Sequence, residues 1–231
     1  MLIDFHTHLL PNLDDGSQSV AESLDMLEAL QLQNVDIAVV TPHFYSDKAS
    51  LEDYLDRRNR AYDLLRSVRP ELIPKLLLGA EVSFFRGIGH ADRITQLCIT
   101  GTKALLLEMP FSQWGRGEIS ELHQVLGRGI TPIIAHVERY LSFQKDLTAF
   151  NEIINLPILL QINAEALLQR KTRKVVFKLI SSGFQILLGT DCHNMKTRSP
   201  NMDAGRRILA HKYGTAYLEQ LDALGADLLR I

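Results

Sequence analysis

Seven apolar runs recur along this chain, at residues 1–8, 35–43, 76–81, 104–108, 131–136, 158–163 and 185–193, with helical periodicity between them. Continuous apolar strands of this kind belong to a parallel sheet buried on both faces by helices. Alternation kept up over seven rounds predicts an α/β barrel. Six of the seven runs carry a histidine or carboxylate at their C-terminal end: His8, His43, Glu81, Glu108, His136 and His193. That end is the rim where barrels place their chemistry, so the one-sided placement predicts an enzyme site. With 46% hydrophobic residues among 231, the chain can bury one large core, and a single domain over residues 1–231 is expected.

The connecting segments carry their own signals. Ser19 and Glu22 form a capping box that opens a helix ending near Asn34, and Ser50 with Asp53 starts a longer one through Leu65. Further helices are expected between Gly89 and Cys98, through Ile119 to Gly127, over residues 147–154, and as a basic helix from Lys171 to Ile180. One or two more follow Asn201. A net charge of −2 without blocks of like charge argues against nucleic acid or an anionic membrane as the main partner. Met1 leads directly into the first strand, so no signal peptide is expected, and no apolar run approaches the ~20 residues of a membrane helix. Cys98 and Cys192 cannot supply a disulfide framework, and a reducing cytoplasm is the expected compartment.

The first strand delivers two imidazoles to one point. Side chains alternate across a strand, so Asp4, His6 and His8 are expected on one face and Ile3 and Phe5 on the other, with Asp4 deeper in a supporting or packing role. The rim groups then number nine: His6, His8, Asp15, His43, Glu81, Glu108, His136, Asp191 and His193. At roughly three or four protein ligands per ion, with carboxylates bridging, they suffice for two to three divalent ions. Imidazoles mixed with hard carboxylates suit Mn²⁺, Fe²⁺ or Zn²⁺. Spacing does not choose between Asp14 and Asp15. His90, His123 and His211 fall away from the strand ends and are read as structural or exposed.

His6-Thr7-His8, Asp14-Asp15-Gly16, Thr41-Pro42-His43, Gly79-Ala80-Glu81, Ala135-His136-Val137-Glu138-Arg139-Tyr140 and Asp191-Cys192-His193 resemble the PHP (polymerase and histidinol phosphatase) superfamily. Within it they look most like the bacterial manganese-dependent protein-tyrosine phosphatases of capsular and exopolysaccharide gene clusters. The resemblance runs in order from residue 1 to about 200. It implies a distorted seven-stranded (β/α)7 TIM-like barrel with a three-metal centre, Mn²⁺ foremost. It would place His6, His8, Glu81 and Asp191 on one ion, Glu81 with Glu108 and His136 on a second, and Asp15, His43 and His193 on a third. It further implies that Arg139 and Arg198 hold the phosphate, and that the substrate is a phosphotyrosine protein, the C-terminal tail of a polysaccharide-assembly tyrosine kinase. The segment 225–231 lacks the Asn-Pro usual in these phosphatases, which leaves the terminal packing and any homo-oligomer open.

The expected chemistry is hydrolysis of a phosphoester by a metal-activated hydroxide, with the two arginines neutralising charge on the equatorial oxygens. His43, His193 or a metal-bound water can serve as general acid. Three rivals exist. Cys192 and Arg198 stand in the C-x5-R spacing of cysteine-dependent phosphatases, yet the intervening residues contain no glycine and strand alternation turns Cys192 away from Asp191 and His193. Metal-dependent amidohydrolases also use a His-x-His first strand, but usually add a bridging lysine at a strand end that is missing here. A non-catalytic scaffold would be expected to lack ligands. A small phosphoester also remains a possible substrate. Residues 44–50 and 111–115 are expected to shape the entrance, with Trp114 either stacking on an aromatic leaving group or packing locally.

Overall fold

Among the described residues the expected staves appear as nine parallel strands, because two of the seven are broken. They are β1 (Ile3–Thr7), β2 (Ile37–Val40), β3 (His43–Phe44), β4 (Lys75–Leu78), β5 (Glu81–Ser83), β6 (Ala104–Glu108), β7 (Thr131–Ile134), β8 (Leu159–Asn163) and β9 (Ile186–Gly189). This computed structural model describes residues 1–69, 71 and 73–231. One sheet runs β1-β2-β4, and the other runs β3-β5-β6-β7-β8-β9. The breaks have local causes. Pro42 has no N–H to give the ladder, and the Gly79 carbonyl is taken by the buried Arg58 guanidinium at 2.7 Å. The lower halves of staves two and three, β2 and β4, therefore join the sheet of β1, while their upper halves, β3 and β5, join the sheet of β6, which is the distortion of the barrel.

The two sheets meet again at a seam between the first and last staves. The Asp191 N–H donates to the His6 carbonyl at 2.7 Å, and the His8 N–H donates to the Cys192 carbonyl at 3.0 Å. Along β1, Asp4 pairs with Ala38 and Thr7 with Val40, three residues against two, so a bulge lies between them. Simple alternation from Asp4 to His6 is thereby overturned. Asp4 turns to the seam, where its carboxylate accepts from the Thr190 N–H and hydroxyl and from the His6 N–H, while Phe5 fills the interior and His6 reaches the rim.

Two apolar layers hold the barrel. Its interior is filled by side chains including Ile3, Phe5, Val39, Leu106, Ile133 and Leu187. The second layer lies between the strands and the surrounding helices. These are α1 (Val20–Leu32), α2 (Leu51–Val68), α3 (Arg116–Gly127), α4 (Thr148–Ile154), α5 (Ala164–Leu168), α6 (Arg170–Ser181), α7 (Met202–Tyr213) and α8 (Thr215–Leu229). Ser19 and Ser50 cap α1 and α2 as expected. The helix expected between Gly89 and Cys98 is instead two short 3-10 turns, Ile88–His90 and Ile94–Leu97. Left-handed Arg93 interrupts it, and the Gly87 and Gly89 N–H groups go to the Glu121 carboxylate rather than to a helical turn.

The terminal helix answers the question left by the missing Asn-Pro. Leu224, Leu228 and Leu229 of α8 pack on the barrel interior from below, and a methyl group at Gly225 would sit 2.9 Å from the Phe5 ring. No helix among the described residues is long and apolar enough to cross a membrane.

Candidate metal centre

Each of the nine groups expected at the rim lies there, and their ligand atoms converge. His6 Nε2 and His8 Nε2 stand 3.1 Å apart, with Glu81 Oε2 at 3.2 and 3.3 Å from them and Asp191 Oδ1 at 3.5 Å from both. Beside this group, His136 Nε2 lies 2.9 Å from Glu81 Oε1 and 3.7 Å from Glu108 Oε1. On the other side, Asp15 Oδ1 lies 3.4 Å from His43 Nε2 and 3.5 Å from His193 Nε2. Glu81 touches all three groups, since its Oε2 also lies 3.0 Å from His43 Nδ1.

Such spacings suit a cation better than they suit the side chains alone. Two ligands each about 2.1 Å from one ion, at angles between 90° and 109°, stand roughly 3.0–3.4 Å apart. Glu81 Oε2 and His193 Nε2 are buried without a hydrogen-bond partner, although buried polar atoms are normally satisfied. The donor set of imidazole and carboxylate, with no thiolate, fits a divalent transition metal.

The backbone aims these side chains at a cost. His136 and Asp191 adopt left-handed φ values of 31° and 55°, which residues other than glycine avoid. Gly189 is required for space: a Cβ there would meet the His6 Cβ at 2.7 Å and Gln161 Nε2 at 2.8 Å.

Polar partners behind the ligands fix their orientation. Asp14 accepts from His8 Nδ1 at 2.7 Å and from the His43 N–H at 2.9 Å, leaving His8 Nε2 to face the centre. The adjacent carboxylates differ in place: Asp14 is enclosed behind His8, whereas Asp15 is 65% exposed and faces His43 and His193. Gln161 Oε1 lies 3.0 Å from His6 Nδ1 and accepts from the His136 N–H at 2.7 Å. Asp191 divides its oxygens. Oδ1 faces the histidines, while Oδ2 accepts from Asn163 Nδ2 at 2.8 Å and Arg139 Nη2 at 2.9 Å and forms an ion pair with Arg198 Nη2 at 2.5 Å.

Electrostatics matches this geometry. Burial pulls the His8 pKa down, but the Asp14 and Glu81 carboxylates overcome it and carry it up to about 10. Burial likewise opposes His6, whose pKa is nonetheless raised by the charges of Glu81 and Asp191. Glu108 is pushed up to about 7 by burial and by the neighbouring Glu81 charge. His193 is depressed to about 4 by burial and the charge on His8.

Other expectations are answered by position. Cys192 is fully buried and its thiol is pushed far above its ordinary range by burial, which disqualifies it as a nucleophile. His90, His123 and His211 are exposed away from the centre. Trp114 is buried, donates to the Pro110 carbonyl at 2.8 Å and stacks on Phe150, so it packs locally and cannot meet a leaving group. The aromatic at the entrance is Phe111, 43% exposed, with its ring 5.9 Å from His136. Sequence reasoning missed Asp14's role, Gln161 and Asn163. The signal for the two amides was present: the one strand without an ionisable end carries them at Gln161 and Asn163.

The family model for capsular polysaccharide synthesis, CpsB/CapC, matches residues 2–228. The chain is 26% identical over 231 residues to the tyrosine-protein phosphatase CpsB of Streptococcus agalactiae, covering 95% of this chain and 94% of that protein. It is 24% identical over 238 residues to the tyrosine-protein phosphatase YwqE of Bacillus subtilis, covering 99% and 92%. The fold superposes with a TM-score of 0.84, at 22% identity and over 99% of this chain and 94% of the other, on a structure from a study of YwqE from Bacillus subtilis and CpsB from Streptococcus pneumoniae, described as unique metal-dependent tyrosine phosphatases. The branch read from the motifs is the one found, and the chain belongs to the CpsB/CapC family of capsular polysaccharide synthesis.

Proposed function

We propose that this protein is a metal-dependent protein-tyrosine phosphatase whose reaction takes place at the rim, and that residues 1–231 form a single metallophosphatase domain. The observation that carries this reading is the convergence of His6, His8, Glu81 and Asp191 on one point, with Arg139 and Arg198 anchored on the far oxygen of the same Asp191. His6, His8, Glu81 and Asp191 would hold one divalent ion, Glu81, Glu108 and His136 a second, and Asp15, His43 and His193 a third, with Mn²⁺ the favoured metal. Bound divalent ions supply Lewis acidity toward a phosphoryl oxygen and bring the pKa of a coordinated water toward neutrality.

The chain's own groups supply the rest. Arg139 and Arg198 are each about one-third exposed, so their guanidinium groups border the solvent-facing side of the centre. A guanidinium fork matches phosphate oxygens, and fixed positive charge lowers the barrier where negative charge builds up. Asp191 orients both arginines through one oxygen. Asp14, Gln161 and the Asp191 carbonyl hold the Nδ1 atoms of His8, His6 and His193, so each presents Nε2 to the centre. The phenolate of tyrosine, with a pKa of about 10, is a tolerable leaving group, so the reaction makes little demand on a general acid. The proposed substrate is a phosphotyrosine protein of the capsule or exopolysaccharide assembly system, the C-terminal tail of its tyrosine kinase, met in the cytoplasm.

Elemental analysis of the purified protein, paired with turnover of a phosphotyrosine peptide before and after chelation, tests the reading. Divalent metal should co-purify, and turnover should vanish on chelation and return with Mn²⁺. Arg139→Ala and Arg198→Ala should each cost roughly 10²–10³-fold in kcat with metal content retained. Turnover that survives exhaustive chelation would sink the proposal.

A further inference from the structure

A cleft of about 620 Å³ opens beside the metal centre, on the side away from Asp15. Its apolar walls are Phe111, Leu141, Phe143 and Val175, and its polar walls include Arg139 and Lys171. Phe111 and Phe143 are each 43% exposed, with ring centroids 5.5 Å apart, so two large aromatics face water at the mouth of a polar site. Exposed apolar surface of this kind marks a binding site more often than a resting surface. Arg139 belongs to both places: its guanidinium reaches Asp191 in the centre while its side chain lines the cleft. A ligand held at the arginine therefore continues into the cleft.

The far wall is cationic. Helix α6 has the sequence RKTRKVVFKLIS, with no acidic residue. Lys171, Lys174 and Lys178 recur at helical spacing and are exposed, so one positive face leads away from the cleft on a protein whose net charge is −2. Glu138, the carboxyl on the cleft wall, is buried, whereas Lys171 is exposed.

We propose that this cleft is a peptide subsite, which seats an apolar side chain beside the phosphotyrosine of an acidic protein segment and draws the carboxylates of that segment onto Lys171 and Lys174. The inference rests on the phosphatase reading and adds the class of sequence the enzyme selects. The aryl phosphate sits under Arg139, the neighbouring apolar side chain lies against Phe111 and Phe143, and acidic residues follow the lysine face of α6. A substrate lacking these flanks, such as p-nitrophenyl phosphate, uses the centre alone.

The experiment compares two phosphotyrosine peptides, identical except that one carries aspartates and glutamates around the phosphotyrosine and the other alanines and serines, alongside p-nitrophenyl phosphate. The Mn²⁺-loaded full chain is used as wild type, as Phe143→Ser, and as the double variant Lys171→Glu with Lys174→Glu. Wild type should favour the acidic peptide by about tenfold in KM. The double variant should erase that preference and leave kcat/KM for p-nitrophenyl phosphate within about twofold, and Phe143→Ser should raise KM for both peptides alone. Equal KM values for the two peptides on wild type, or variants that change p-nitrophenyl phosphate as much as peptide, would overturn the subsite. Should wild type turn over none of the three substrates, the phosphatase reading fails separately. The subsite is then decided by fluorescence anisotropy of the labelled acidic peptide: lysine-dependent binding supports it, and lysine-independent or absent binding rejects it.

Discussion

The two ends of the barrel are made of the same seven staves and hold opposite contents. At the lower end Ile3, Phe5, Val39, Leu106, Ile133 and Leu187 fill the interior, and α8 covers them from below. At the rim, four imidazoles crowd to within 2.9–3.3 Å of Glu81, most of them buried. Apolar contact needs no partner beyond shape, so the lower end is complete in itself. Buried charges need compensation, and Glu81 and His193 each keep a buried atom without a hydrogen-bond partner. Stability is thus concentrated at one end and chemistry at the other, and substitutions at each should separate them.

The largest separation is expected from Glu81→Ala against Leu106→Ala. Removing the carboxylate shared by all three groups should cost on the order of 10³-fold or more in kcat/KM, ~4 kcal/mol of transition-state stabilisation. Leu106→Ala should instead lower unfolding stability by about 2–5 kcal/mol, with activity per folded molecule nearly kept. Steady-state kinetics and denaturant titration on both variants decide it; equal losses of activity would erase the distinction between the ends.

Metal affinity should depend steeply on pH. His6 and His8 have raised pKa values in the metal-free protein, His8 at about 10, so a cation must displace their protons. Bound protons compete less as pH rises, and the apparent affinity should climb about tenfold per pH unit for each proton displaced, between pH 6 and 8. Calorimetry in buffers of different ionisation enthalpy counts the released protons, and a pH-independent affinity contradicts the electrostatic picture.

Asp14→Asn should weaken metal binding by roughly 10–100-fold, because His8 loses the carboxylate that fixes its tautomer. Competition with a fluorescent chelator reads this effect, and unchanged affinity would show that Asp14 is dispensable. At the lower end, Gly225→Ala should cost about 1–3 kcal/mol by forcing α8 off Phe5, with metal content unchanged. Thermal unfolding of the metal-free protein reports it. The smallest effect belongs to Cys192→Ser, which should leave turnover within about twofold. A hundredfold loss with metal still bound would revive thiol chemistry.

Both ends of the barrel were not equally legible in the amino-acid sequence. The rim could be read because strand ends recur and because histidine and carboxylate are conspicuous in apolar runs; all nine groups proved neighbours. Asp4 was misplaced because a bulge is a register event between two strands, invisible along either one. Trp114 and Phe111 could not be told apart within one loop, since exposure there is decided by Tyr140 and Phe150 from elsewhere in the chain. Gln161 and Asn163 were passed over because an amide matters only once its neighbours are known. The helix expected between Gly89 and Cys98 failed on a contact with Glu121, some thirty residues away in sequence.

The seam between the first and last staves has a temporal meaning. His6 and His8 leave the ribosome 185 residues ahead of Asp191 and His193, which complete their surroundings. The earlier pair must wait, as half a clasp, while the intervening chain is made. A cation gripped from both sides would fasten the two margins of the ring.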